Sequence, residues 1–314
     1  MSDPNRLPGS SIEDAAMAGV TVGETPPALR PEGRDGARAI ARRERLRLIL
    51  RSPTFLIGAF LVVVWVACAV VPHLIQRQDP FHTDILGKLK SPNGAHWFGT
   101  DDLGRDVYAR VVAGARVILI VAPLATLLGT AAGTAIGLVT GYYRGVVDEI
   151  LMRVVDAFLA IPTVILAALA LAALGSSDTT IVVVIGLVFT PIIARTVRAA
   201  VLVEREMEYV QAAKLRNERA KFVMFVEILP NVMGPILVEF TVRVGYAIFT
   251  IATLSFLGLG IQPPAPDWGS TISNQYVYLI GGDWWPVLFP ALAIGSLVIG
   301  VNLISDSVSQ VFER

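Results

Sequence analysis

Six long apolar runs constrain this chain more than anything else in it. The first, FLIGAFLVVVWVACAVVPHLI, fills residues 55–75. A bilayer core needs about 20 such residues to be crossed by a helix. Further runs occupy 117–139, 157–174, a stretch from 181 that meets charge at Arg195, 232–260 and 287–304. Backbone amides in hydrocarbon must be paired internally, which leaves helices or a closed barrel. The runs are continuous rather than alternating, so helices are expected. The fold class that follows is an all-α polytopic membrane protein with six transmembrane helices. Arg195, Glu239 and Arg243 sit inside the fourth and fifth runs, where an ionisable group needs a partner or water.

Composition agrees. The 314 residues are 54% hydrophobic and 17% charged, against about 25% charged in soluble domains. Net charge is zero, so no field recruits nucleic acid, and membrane lipid is the expected surrounding. The single cysteine, Cys68, cannot form an intrachain disulfide and reads as a small buried side chain.

The ends set the orientation. Residues 1–45 are rich in Pro, Gly, Ser and acidic residues and read as a disordered cytoplasmic tail, with residues 46–314 forming the transmembrane domain. Arg38, Arg42, Arg43, Arg45, Arg47 and Arg51 abut the first run and place it by the positive-inside rule. That run starts too late and is too long for a cleaved signal peptide. Six crossings put both termini in the cytoplasm. The 261–286 connection, free of Lys and Arg, then lies outside. The first outside connection is the exception, with Arg77, Lys88, Lys90, Arg105 and Arg110.

One polar insert, residues 204–230, interrupts the apolar pattern. Its sequence from 208, EYVQAAKLRNERAKFVMFVEILPN, favours helix up to Arg216. Asn217 follows at a corner. Phe222, Phe225, Val226 and Leu229 then recur at helical spacing on one face, and Pro230 is expected to end that helix or kink its entry into the fifth run. Two short helices at a sharp corner would make a compact knob. The plainer alternative is an amphipathic loop lying on the headgroups.

This insert resembles the signature of inner-membrane permease subunits of ATP-binding-cassette (ABC) importers: Glu-Ala-Ala, three residues, Gly, nine residues, then apolar-Leu-Pro. Gln211, Ala212 and Ala213 stand in the triplet, Asn217 in the glycine position, and Ile228, Leu229 and Pro230 close it. Asn is the next best left-handed residue after Gly; Gln211 removes the charge of the usual Glu. Three more segments resemble dipeptide and oligopeptide permeases: HWFGTDDLGRDVYARVVAGAR (96–116), GYYRGVVDEILMRVVDAFLAIP (141–162) and LSFLGLGIQPPAPDWGS (254–270). The likeness covers residues 91–314 and is closest to the C-type subunit of the dipeptide/oligopeptide/nickel group.

The resemblance implies a type I importer permease fold in the bacterial cytoplasmic membrane. It implies half of a peptide translocation path working by alternating access, with the other half from a homologous second permease. An extracytoplasmic substrate-binding protein would deliver the substrate. The coupling residues carried over are Gln211, Ala212, Ala213, Arg216, Asn217, Arg219, Phe222, Leu229 and Pro230, docking on one or two ATPase subunits. The chain has no G-x-x-x-x-G-K-[ST] loop, so ATP and Mg belong to that partner, and no cofactor or catalytic residue is expected here. The same machinery could import a nickel chelate or another small ligand. An ion-coupled secondary transporter would show internal repeats and buried coupling carboxylates; an intramembrane enzyme would need a paired constellation.

Four other features carry two readings each. Glu239 and Arg243 are spaced to pair on one helix face and could line the path or sit in the headgroup layer. Gly99, Thr100, Asp101, Asp102, Gly104, Arg105 and Asp106 form the outside motif, a salt-bridged cap or a ligand site; the scattered His73, His82 and His96 give no metal cluster. Gly129, Gly133, Gly137 and Gly141 line one helix face that permits close approach, either where helices slide during gating or as static tight packing. Trp268, Trp284 and Trp285 read as interfacial anchors or part of a gate.

Overall fold

The computed structural model describes residues 52–312; the tail and the arginine block before the first run lie outside the described residues. Helix α1 spans Pro53–Val70 and stops five residues before the apolar run does. Pro72 disfavours a helical conformation at the residue before it, and a four-residue helix, α2 (Pro72–Ile75), turns away.

Helix α3, Val107–Tyr143, has 37 residues, about 55 Å. It begins ten residues ahead of the apolar run because Asp106 caps it: the carboxylate accepts the Ala109 N–H at 2.7 Å. Then α4 (Gly145–Leu159) and α5 (Thr163–Leu174) bend by 87° at the residues before Thr163. The third apolar run was expected as one straight span over 157–174. It is instead the second limb of a bent pair, since Pro162 cannot continue α4. Alone, α5 has 12 residues, about 18 Å, too short for a core of about 30 Å. Among the described residues five helices are long and apolar enough to cross, and the number is six when the bent pair is counted as one span.

Helix α6 (Asp178–Glu204) leads into α7 (Glu208–Leu215). After the corner, α8 (Ala220–Phe222), a π-turn (Val223–Ile228) and α9 (Leu229–Phe256) run on as one rod. Pro230 therefore neither ends a helix nor separates two. The wider turn ahead of it, with the Leu229 N–H bonded to the Met224 carbonyl, accommodates the missing N–H. Helices α10 (Trp268–Gln275) and α11 (Trp285–Phe312) complete the chain. Pro123, Pro191, Pro235 and Pro290 lie within long helices without breaking them.

The glycine face of α3 packs against α6, and the two run parallel. A Cβ on Gly129 would lie 2.7 Å from the Gly186 carbonyl, on Gly137 2.7 Å from that of Ala194, and on Gly141 2.6 Å from Val201. The seam is closed to any larger residue. It leads down to the start of the polar insert, which holds the candidate site.

Candidate functional site

The knob is built as its sequence asks. Helix α7 ends in a Schellman turn: the Asn217 N–H bonds the Lys214 carbonyl at 3.0 Å and the Glu218 N–H that of Ala213 at 3.2 Å. This places Asn217 at φ +57°, in the left-handed region that Gly or Asn tolerates. Gln211 donates its side-chain amide to the Arg205 carbonyl at 3.1 Å, a bond that a glutamate could not make. Arg205 in turn reaches the Tyr142 carbonyl at the end of α3, at 2.6 Å. Burial pushes the Lys214 ammonium below its ordinary pKa.

The coupling residues fall into two sets. Ala213 is fully buried beneath the knob and Gln211 faces inward. Ala212, Arg216, Asn217, Arg219 and Phe222 are on the surface. Arg216 lies 3.8 Å from Glu227 across the corner, whereas Arg219 and Lys221 make no ion pair among the described residues. The shared face of Phe222, Phe225 and Val226 with Leu229 points out. Only Leu229 is partly buried, and Val223, Met224 and Ile228 fill the core instead. An amphipathic period shows that a face exists but not which way it turns. The outward apolar face, together with the 85% exposed Leu215, leaves the knob unfinished on its outer side.

Higher on α9, Arg243 donates to Glu239 at 2.6 Å and its guanidinium lies 5.1 Å from the Tyr246 ring centre. Both side chains are mostly buried. The partner that Arg195 needs is Asp156 on α4, at 2.9 Å. Next to it, Arg198 grips Asp148 with two bonds of 2.6 Å. Neither aspartate stood out in the sequence, because each pairing partner is about 40 to 50 residues away on another helix.

The opposite end holds the Gly99–Asp106 motif. Asp101 is fully buried and accepts the Leu103 and Arg105 N–H groups at 2.9 Å and the Arg105 guanidinium at 2.7 Å. Asp106 also meets His96 Nδ1 at 2.9 Å. Asp102 pairs with Gln275 of α10. Gly99 and Gly104 have positive φ and backbone or indole against their α-carbons. These carboxylates are spent on the chain itself. Two of the three tryptophans expected at an interface are buried rivets: Trp268 donates to the Val111 carbonyl at 2.9 Å and Trp285 to that of Thr100 at 3.1 Å. Only Trp284 is half exposed. Asp267 caps α10 through the Ser270 N–H, and burial raises its pKa.

A bundle of membrane-length helices, with a polar knob projecting between two of them, defines a multi-pass membrane protein. Residues 133–314 match the family described as "Binding-protein-dependent transport system inner membrane component", and the chain belongs to that family. A dipeptide transport system permease protein of Alkalihalophilus pseudofirmus is 34% identical over 86% of this chain and 89% of its own. A putative peptide transport system permease protein of Brucella suis is 38% identical over 85% and 90%. A glutathione transport system permease protein of Pectobacterium atrosepticum is 34% identical over 86% and 90%. The chain is thus an inner-membrane permease of the ABC importer class, a transport subunit rather than a catalyst.

Proposed function

We propose that this permease forms half of a path that carries peptides into the cytoplasm, driven by ATP hydrolysis on a separate subunit. The observation that carries the reading is the knob, a capped and packed helical corner that leaves Leu215, Phe225 and Val226 exposed beside Arg219 and Lys221, which make no ion pair among the described residues. Such a surface suits a groove on an ATPase, which binds the ATP and Mg; two such subunits, or two copies of one, would close the machine. Relatives described as dipeptide, peptide and glutathione permeases support a peptide cargo. A homologous permease completes the path and an extracytoplasmic binding protein delivers the cargo. The arginines at the knob end, Arg195, Arg198 and Arg205, favour the cytoplasmic side for it, with both termini on that side too.

Charge reversal at Arg219, or Leu215→Asp, tests the docking without touching the packed interior. Uptake of labelled dialanine and retention of the ATPase on purification should both fall. Full uptake with full assembly in both variants would overturn the reading. Ala213 is unsuitable for this purpose, because its burial makes any larger side chain a packing defect.

The Glu239–Arg243 face of α9 is assigned to the path. The pair satisfies itself electrically, yet prefers water or protein to lipid, and both signs of charge suit the two termini of a peptide. With Cys68→Ser as background, cysteine at either position should react with a water-soluble thiol reagent at a rate that changes when hydrolysis is blocked. Equal labelling in every state would remove the face from a gated path.

A further inference from the structure

The knob joins the membrane bundle in two ways: its second helix runs straight on into α9 as one rod, whereas its first, α7, is reached from α6 only through the turn at residues 205–207. A push on α7 reaches α6 and the rod only as far as side chains tie the three together. The structure closes this neck with one side chain. The Tyr209 hydroxyl donates to the Glu204 carboxylate at the last residue of α6. It accepts from the Asn231 side-chain amide near the start of α9, at 3.0 Å. Asn231 is itself held by a second bond from its amide to the Glu227 carbonyl, at 2.7 Å. One hydroxyl has one proton to give and lone pairs to receive, so both bonds form at once. Three elements, α6, α7 and α9, meet at one atom.

We infer that Tyr209 is a positioning residue for coupling, whose hydroxyl makes α7, the first helix of the knob, move as one body with both α6 and α9. The inference rests on the proposed docking of the knob on an ATPase and adds the element that passes the displacement upward. Burial and the Glu204 bond raise the Tyr209 pKa, so the hydroxyl keeps its proton through the physiological range. The ring is 36% exposed. Hydrogen bonds within reach of water contribute little net stability, so the neck's role is geometric. A second strap supports it from the other side: Gln211 holds the Arg205 carbonyl and Arg205 holds α3. Glu204, Arg205, Tyr209 and Asn231 all lie outside the Gln-Ala-Ala to Leu-Pro signature.

The test uses the assembled importer, with its ATPase and binding protein, in liposomes. The quantity read is labelled dialanine taken up per ATP hydrolysed. Tyr209→Phe removes only the hydroxyl, and Asn231→Ala removes the partner on α9. Each should lower the ratio about fivefold, the size of a modest coupling between distant sites. The thermal midpoint should shift by about 2 °C or less. Glu204→Gln keeps an acceptor oxygen and should retain most of the ratio, whereas Glu204→Leu should lose it. A normal ratio in Tyr209→Phe, or a Glu204→Gln variant as uncoupled as Glu204→Leu, would overturn the inference. Charge reversal at Arg219 separates the two levels: uptake lost there but a normal ratio in Tyr209→Phe removes only the neck, not the docking.

Discussion

The two ends of this molecule use polar groups in opposite ways. At the motif end, Asp101, Thr100 and Gln275 are buried almost completely, and two indole N–H groups reach across the chain to backbone carbonyls. Residues from the first connection, α3, α10 and α11 are sewn into one block. At the knob end the polar bonds are fewer and nearer to water, and large apolar side chains are left outside. The first arrangement resists movement in any direction. The second is stiff within itself and open to a partner, as a lever must be.

A pair of glycines separates the two ends most sharply. Gly104 at the motif end and Gly145 at the knob end have nearly the same positive φ, +73° and +65°. A Cβ on Gly104 would collide with the Asp84 backbone, whereas one on Gly145 meets nothing within 4 Å. Gly104→Ala should leave almost no folded permease in the membrane fraction. Gly145→Ala should give normal levels and incur only left-handed strain, about 1–2 kcal/mol. Equal expression of the two would mean that the motif end is not the rigid block described.

The α3–α6 seam, which joins the ends, comes next in size. Gly137→Leu would drive a side chain into the Ala194 carbonyl and Val197, and overpacking of this kind costs about 1–3 kcal/mol or more. Gly295 in α11 has open space at its α-carbon. Gly295→Ala should be neutral or slightly stabilising, by up to about 1 kcal/mol. Thermal midpoints in detergent would rank the two variants, and a tolerated Gly137→Leu would mean the helices part at this seam.

The tryptophans sharpen the comparison again. Trp285→Phe keeps an aromatic ring but removes the buried pyrrole portion and the N–H that meets the Thr100 carbonyl, leaving a buried acceptor short of its partner at about 1–3 kcal/mol, with the void left by the smaller ring adding to that. Trp284→Phe, half exposed, should change stability by about 0.5 kcal/mol or less. A larger shift from Trp284 would restore the interfacial reading of these residues.

What the sequence made legible follows the same division. Continuous apolar runs located the long helices, because the demand for internal backbone pairing is local. The left-handed corner at Asn217 was legible too, since a helix stop needs a residue that tolerates positive φ. The period of Phe222, Phe225, Val226 and Leu229 showed a shared face but not which way it turns. The π-turn shifts the register there, and orientation depends on neighbours that no local pattern names. The start of α3 was misplaced because its first ten residues are held by the Asp106 cap and by burial against other segments, not by an apolar run. Asp148, Asp156 and Tyr209 were invisible for the same reason: their roles exist only through Arg198, Arg195, Glu204 and Asn231 on other elements.

The most local of these effects falls on Asn217, and it divides strain from contact. The residue is exposed and its conformation is left-handed, so its contribution lies in tolerating that conformation rather than in touching anything. Asn217→Gly should preserve the turn and leave uptake unchanged. Asn217→Ala must adopt the same φ with a Cβ, at a cost of about 1 kcal/mol. The strain sits in an exposed corner, so the cost should loosen the knob and leave the bundle intact. The Glu218 N–H, which bonds the Ala213 carbonyl, would report it: its hydrogen exchange should speed up about fivefold in Asn217→Ala and not in Asn217→Gly. Amides in the α3–α6 seam should be unaffected in both. If exchange in the seam rose together with that of Glu218, the knob and the bundle would open as a single unit, and the contrast between a sewn end and a lever end would fail.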